Sequence, residues 1–379
     1  MHAYRTWIEV SSSALAHNVR ALSSCLSPDV QMIAIVKADA YGHGLREVAG
    51  LLWREGVRVF GVDSLEEALV VRECLPQATV IILGFVPDSS LPLVVSHHLH
   101  IGMYDLEQVR LLEEAAAGAE ESVSVHIKIE TGTARQGIFP EDISTWMDAL
   151  ALCPHVRVAG MYTHLARAEE IGHPMTQRQV DVLYATVGKV ADRLPNLLFV
   201  HAASAAAVLA FPHAHGTAVR PGLSLYGYWP EETFEQSVRL KHPSLTLTPA
   251  LSWYSRIAQV KDYPAGTPVG YGGSEVLNRP TRLAVVPVGY YDGYDRRLSS
   301  KGEVLVRGER CRVIGRVCMN MMMVDASRVP SPVRGENVTL LGTSGAHKVW
   351  ADELAKRSGT ITWEILARLS SHLPRLIVP

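Results

Sequence analysis

The sequence predicts an α/β fold in which a (β/α)8 TIM barrel is followed by a C-terminal, mainly β domain. Eight short, β-rich apolar runs alternate with helix-period patterns between residues 31 and about 226. Beyond about residue 243 the texture changes to alternating runs broken by glycine turns. Ionisable and glycine-bearing motifs fall at the ends of five of the eight runs, where a parallel barrel builds its active site.

The opening residues 6–10 alternate in polarity and precede a helix over 13–26. The barrel runs are 31–36, 57–62, 79–84, 99–103, 123–129, 156–163, 197–201 and 217–220. Helical patterns between them include 45–54, 64–74, 106–117 and 176–194. No G-x-G-x-x-G follows the first run, which disfavours an open dinucleotide-binding sheet. In the second region, strands are expected at 251–260, 282–288, 304–306, 312–318 and 337–341, with a tight hairpin turn at Arg307-Gly308-Glu309. Helices are expected at 351–358 and from about 362. The barrel is thus placed at 11–238 and the β domain at 239–379. Residues 1–10, left without a barrel slot, are expected to pair with the β domain.

At 379 residues the chain is long enough for two sizeable cores. A net charge of −2 without long runs of like charge argues against a nucleic-acid partner or membrane-surface binding. No apolar stretch approaches the roughly 18 residues that span a bilayer, and the first ten residues do not read as a signal peptide. Five scattered cysteines fit a reduced, cytoplasmic protein. The sixteen histidines form no zinc spacing with cysteine or glutamate, so no metal is expected.

Lys37 follows the apolar run Ile33-Ala34-Ile35-Val36 and precedes Tyr41-Gly42-His43-Gly44. A lysine at the mouth of a buried strand is placed for partial desolvation, which favours the neutral amine and Schiff-base formation with an aldehyde. His126, Lys128 and Glu130 share one face of the fifth run and are expected in the barrel lumen. Arg135 follows at once; its fork suits a carboxylate or a phenolate oxygen, and an ion-pair cluster with Glu130 is the alternative. His164 closes the sixth run, and Ser204 stands as an N-cap whose neighbouring amides suit phosphate. Arg220 ends the eighth run, with Gly222 able to bring an amide to a phosphate. In the second domain, Tyr271 lies in a glycine-rich loop, and the segment Cys318-Met319-Asn320 offers a backbone amide.

The run IVKADAYGHG around Lys37 resembles the pyridoxal-phosphate attachment signature of the bacterial alanine racemases, fold type III pyridoxal-phosphate enzymes. The other motifs resemble that family along nearly the whole chain. The resemblance implies pyridoxal 5'-phosphate as cofactor and a homodimer with active sites shared between subunits. It implies Lys37 and Tyr271, the latter from the other subunit, as bases on opposite faces of the substrate, and His164 as the link between Arg220 and Tyr271. Arg135 and the Met319 amide would hold the substrate carboxylate. Arg220 would face the pyridine nitrogen, while Tyr41, Ser204, Gly222 and Leu223 would hold the phosphate. Lys128 matches a lysine carbamylated in many members. The implied activity is interconversion of L- and D-alanine, supplying D-alanine for peptidoglycan.

Three positions depart from the family pattern. Trp363 stands for a tyrosine near the phosphate and substrate entrance, Asn320 for an aspartate, and Ala203 for an asparagine. They leave open a racemase of another small amino acid, such as serine. A fold type III decarboxylase is a further alternative. It is disfavoured because a permanently cationic arginine at the pyridine nitrogen makes a weak electron sink.

Overall fold

The computed structural model describes residues 3–379. Two compact units emerge. One comprises Leu15–Ala38 and Val48–Thr248; the other comprises Pro249–Pro379 with Asp39–Glu47 and the opening segment to Ala14.

The opening strand is β1 (Thr6–Ser11), followed by a helix over Ser12–Ser23. The first unit is an eight-stranded parallel sheet: β2 (Gln31–Ile35), β3 (Val59–Val62), β4 (Thr79–Ile82), β5 (His100–Met103), β6 (Val123–Lys128), β7 (Val156–Tyr162), β8 (Phe199–His201) and β9 (Ala218–Val219). Each of the eight expected runs supplies one strand. The spatial order is β9-β2-β3-β4-β5-β6-β7-β8, and neighbours pair in parallel. The sheet closes through Thr217 N donating to Val200 O (3.0 Å) and Arg220 N donating to Ala203 O (2.8 Å). Helices cover the outer face, so strands are buried on both sides; every residue of β3 is buried.

Local chemistry sets the helix starts. Ser64 accepts from Glu67 N ahead of Leu65–Cys74, and Asp105 accepts from Glu107 N ahead of Leu106–Gly118. The expected helix 176–194 begins two residues earlier, at Pro174, because proline suits the first turn, and it ends at Val190, where a 3-10 turn takes over. The short helices Leu91–Ser96 and Ile143–Leu150 complete the alternation.

One feature is invisible to hydrophobic patterning. Directly after Lys37, the residues Ala38, Asp39, Ala40 and Tyr41 all have φ between 52° and 54°, a turn of left-handed helix. Each L-residue so placed costs about 1–2 kcal/mol. Within the second unit the turn is tied down at both ends. Asp39 Oδ1 accepts from Leu45 N (2.8 Å), while Arg375 pairs with Asp39 (3.2 Å) and donates to Gly42 O (3.0 Å).

The second unit's main sheet contains β10 (Leu251–Arg256), β11 (Gln259–Tyr263), β14 (Thr281–Val286), β15 (Glu303–Val306), β16 (Glu309–Ile314), β17 (Met322–Asp325), β18 (Asn337–Ser344), β19 (His347–Val349) and β20 (Arg375–Val378); β12 (Pro268–Val269) and β13 (Glu275–Val276) form a separate hairpin. β1 pairs antiparallel with β10 and parallel with β20. The single expected strand 251–260 is in fact two, because Ile257 N bonds Glu336 O while Ala258 N bonds Val285 O. The chain changes ladder partners there. Arg307 (φ 50°) and Gly308 (φ 83°) make the two-residue turn joining β15 to β16. Helices Ala351–Ser358 and Thr362–Ala367 follow, the first stopped by left-handed Gly359.

Candidate active site

In the barrel unit the sequence-predicted residues collect at the C-terminal ends of the strands. Pro221 O accepts from Ile35 N (3.0 Å) and Ile35 O accepts from the Tyr226 hydroxyl (2.9 Å), which ties the Gly222 loop to the strand that carries Lys37. Gly222 leads into a 3-10 turn over Leu223–Tyr226. Ser204 has the extended backbone of an N-cap, yet its hydroxyl makes no capping bond to the helix Ala205–Ala210. The capping role foreseen for its side chain is therefore absent, and the oxygen stays available to a ligand.

Arg220 is 5% exposed and held from behind by four bonds. Nη1 donates to His201 Nδ1 (2.7 Å) and His201 O (2.6 Å), and Nη2 donates to Thr163 O (2.6 Å) and Ala202 O (3.2 Å). A guanidinium has five N–H donors, so Nε–H alone lacks an acceptor among the described residues. Burial lowers the Arg220 pKa to about 10, which leaves it cationic at neutral pH.

Lys128 is 4% exposed, and its Nζ donates to Gln136 Oε1 (3.1 Å). Burial, then the charges of Arg135 and Arg220, bring its pKa down to about 8. His164 is pushed down to about 3 by burial and then by Arg220, Arg135, Lys128 and Lys37, so it is neutral. Four cations thus act on one imidazole, an electrostatic field suited to an anionic ligand.

One expectation fails here. Glu130 does not face the lumen with His126 and Lys128. The strand ends at Lys128, and the carboxylate folds onto its own loop, accepting from the amides of Gly132, Thr133 (2.6 Å) and Arg135 (3.3 Å) and from the Thr133 hydroxyl (3.0 Å). Lys37 is half-buried: its side chain is 43% exposed and Nζ sits 3.4 Å from Asp63 Oδ1. Asp63 itself is positioned by Glu67, whose carboxylate accepts from Asp63 N (2.9 Å) and Ala38 N (2.6 Å). Sequence reasoning singled out neither acid. The D-S-x-x-E spacing of a capped helix start was the available signal.

In the second unit, an open cavity of about 910 Å³ is lined by Tyr271, Met319, Asn320, Gly270, Tyr290 and Cys318, among others. Tyr271 is 72% exposed in a 3-10 turn between β12 and β13. Met319 is fixed through its carbonyl, which accepts from Tyr291 N (3.0 Å), while Cys318 N donates to Met321 O (2.9 Å). Gly289 permits this packing, since a Cβ there would lie 2.1 Å from Cys318 O and 2.3 Å from Met319 O. Tyr41 belongs to the same unit, and burial raises its phenol to about 12. Trp363 is the second residue of the helix Thr362–Ala367.

Family models for the alanine racemase N-terminal and C-terminal domains match residues 10–230 and 250–377. The chain belongs to the alanine racemase family. An alanine racemase of Leptospira interrogans serogroup Icterohaemorrhagiae serovar Lai is 35% identical over 379 residues, 99% of this chain and 96% of that protein. One from Desulfovibrio desulfuricans is 35% identical over 372 residues, 98% of each chain. Among solved structures, the Bacillus anthracis alanine racemase with bound L-Ala-P gives a TM-score of 0.92 at 30% identity, covering 100% of this chain and 96% of that one. The alanine racemase of Streptomyces lavendulae gives 0.91 at 29% identity, with 100% and 98% coverage. Like the family's other members the chain is an isomerase with a barrel and a β-rich C-terminal domain. Among the described residues no helix is long and apolar enough to cross a membrane, and no histidine, cysteine and carboxylate cluster could hold a metal.

Proposed function

We propose that this chain racemises alanine with pyridoxal 5'-phosphate, using two bases on opposite faces of the substrate and supplying D-alanine for peptidoglycan. The single observation that carries the proposal is the bonding of Arg220: four donors are consumed by the protein and one N–H remains. A lone donor on a permanent cation fits an unprotonated pyridine nitrogen, and the unbonded Ser204 hydroxyl beside a helix start fits a phosphate. Lys37, Tyr41, Ser204, Gly222, Leu223 and Trp363 would hold the cofactor with Arg220. When bound, that cofactor supplies a conjugated system that acidifies the α-hydrogen of an amino acid.

The chain's own residues do the rest. Arg135 and the Met319 amide hold the substrate carboxylate. Lys37 Nζ takes the α-proton of D-alanine, and the Tyr271 hydroxyl, supplied by a second copy of the chain, takes that of L-alanine. A single base returning its own proton would retain configuration, so two are needed. His164, held neutral by burial and by the charge of Arg220, would bond the phenol of Tyr271 and tune it; its tie to Arg220 is electrostatic, since the four bonds that hold the guanidinium go to His201, Thr163 and Ala202. Arg220, a permanent cation, would face the pyridine nitrogen and disfavour its protonation, so that the cofactor would be a weaker electron sink, suited to proton exchange rather than loss of carbon dioxide. Lys128, whose lowered pKa favours the neutral amine, would add carbon dioxide and release a proton to give a carbamate, which would convert a repelling cation beside Arg135 into an anion. The exposed Tyr271 and Met319, which line an open cavity, support the homodimer. The free thiols support a cytoplasmic location.

Trp363 and Asn320 favour a second reading, a racemase that prefers serine. Initial rates of L-alanine and L-serine racemisation, followed by chiral chromatography with and without added pyridoxal phosphate, separate the two. A higher kcat/KM for alanine is expected. A higher value for serine would overturn the alanine assignment, and carbon dioxide release would overturn both.

A further inference from the structure

Three histidines inside the barrel have no part in the reaction proposed above. His201 ends β8, His126 lies in β6 and His100 opens β5. Arg220 Nη1 is 2.7 Å from His201 Nδ1, His201 Nε2 is 3.0 Å from His126 Nδ1, and His126 Nε2 is 3.0 Å from His100 Nδ1. The rings therefore form an unbroken file from Arg220, at the C-terminal mouth, to the N-terminal end of β5. His126 and His201 are each 0% exposed, and His100 is partly exposed. Tyr162 stacks flat on His201 at 4.8 Å, and Phe199 packs on His126 at 5.3 Å, so neither ring can swing. The intervening strand makes room: a Cβ on Gly160 would stand 2.3 Å from His126 Nδ1.

The polarity of this file is set at one end. A guanidinium donates and never accepts. His201 Nδ1 must therefore accept, which leaves its proton on Nε2. The same logic passes to His126 and then to His100. Each ring accepts at Nδ1 and donates at Nε2. Placing a second proton on any ring sets donor against donor, unless every bond reverses, and a reversed file would end on Arg220's N–H groups. We propose that His100, His126 and His201 form a one-way relay of neutral Nε2–H imidazoles, positioning residues that fix the guanidinium of Arg220 and bar a second cation from the floor of the site. Burial and neighbouring charge act in the same direction. His100 is lowered to about 4 by burial and then by Arg72, and the two inner rings lie well below the ordinary histidine value. The relay makes Arg220's orientation independent of pH across the range where an isolated histidine would titrate.

Only the link from Arg220 to catalysis rests on the function proposed above; the tautomer pattern does not. Protein labelled with 15N-histidine, without cofactor, tests it by long-range proton–nitrogen correlation. His126 and His201 are expected as Nε2–H neutral rings, unchanged through roughly pH 5–8, where a free histidine titrates. His100→Leu removes the terminal acceptor and should perturb the His126 signals. In the holoenzyme, kcat should then fall by about three- to tenfold with little change in KM, as suits one mis-set buried hydrogen bond. His100→Gln, whose amide oxygen can accept, should restore both. A Nδ1–H tautomer or a titration at either buried ring would overturn the relay, as would His126 signals and kcat indifferent to His100→Leu. If that variant does not fold, the tautomers of the unsubstituted protein decide alone. Absence of racemisation with the tautomers intact would count against the proposed function and not against the relay.

Discussion

Lys128 offers a prediction with a sign and a size. Its ammonium is buried between the charges of Arg135 and Arg220, and its pKa falls from 10.5 to about 8. Each tenfold in proton affinity corresponds to about 1.4 kcal/mol, so the protonated lysine opposes folding by ~3 kcal/mol at most. Water at the open end of the barrel screens part of this, leaving about 1–2 kcal/mol. Because the folded pKa is depressed, the penalty is complete below about pH 8 and fades as pH rises toward 10.5, where the unfolded lysine also loses its proton. Lys128→Met removes the charge at similar length. In carbon-dioxide-free buffer at pH 7 without cofactor, its thermal midpoint should exceed that of the parent protein by several degrees, at roughly 2–4 °C per kcal/mol for a domain of this size. The gap should close near pH 10.5, where the parent lysine is neutral. Added bicarbonate should stabilise the parent and not the variant, since only the parent can form a carbamate. A Lys128→Met protein no more stable than the parent at pH 7 would refute the repulsion on which both effects depend.

Other perturbations follow from the same geometry. Tyr271→Phe should abolish turnover of L-alanine while pyridoxal-phosphate absorbance persists on dialysis; unchanged activity would exclude the phenol as a base. Trp363→Tyr should tighten cofactor retention on dialysis and alter the alanine-to-serine rate ratio, and no change in either would make the tryptophan neutral. Asp39→Ala removes the carboxylate that anchors the left-handed turn to Leu45 N and Arg375. Chemical denaturation should show a loss of roughly 1–3 kcal/mol, the usual effect of stranding a partly buried partner. A neutral outcome would mean that the turn is held elsewhere.

Much of the architecture was legible because both faces of a barrel strand are buried, so each strand appears as an apolar run. Helix starts were legible where a side chain caps them, as at Ser64. Patterning fails where a residue's conformation departs from its propensity. Nothing in Ala38-Asp39-Ala40-Tyr41 announces four left-handed residues, because the compensation comes from Arg375, more than 300 positions away. The break at Ile257–Ala258 was likewise hidden, since apolar alternation continues while the ladder partner changes. Of the candidate site, the residue types were readable but not their partners. Lys37 owes its setting to Asp63 and Glu67, and Glu130 turns away from the lumen because three amides of its own loop outbid the barrel interior. The file of histidines was half visible: His126 was placed inside, but contact with His100 and His201 depends on Gly160 and on the curvature of the sheet.

The most direct trial of the two-base account is proton exchange in deuterium oxide. Holoenzyme incubated with L-alanine should yield D-alanine bearing solvent deuterium at Cα, and the reverse reaction from D-alanine should label L-alanine in the same way. Protein that binds pyridoxal phosphate yet leaves the α-hydrogen of both enantiomers unexchanged would contradict it.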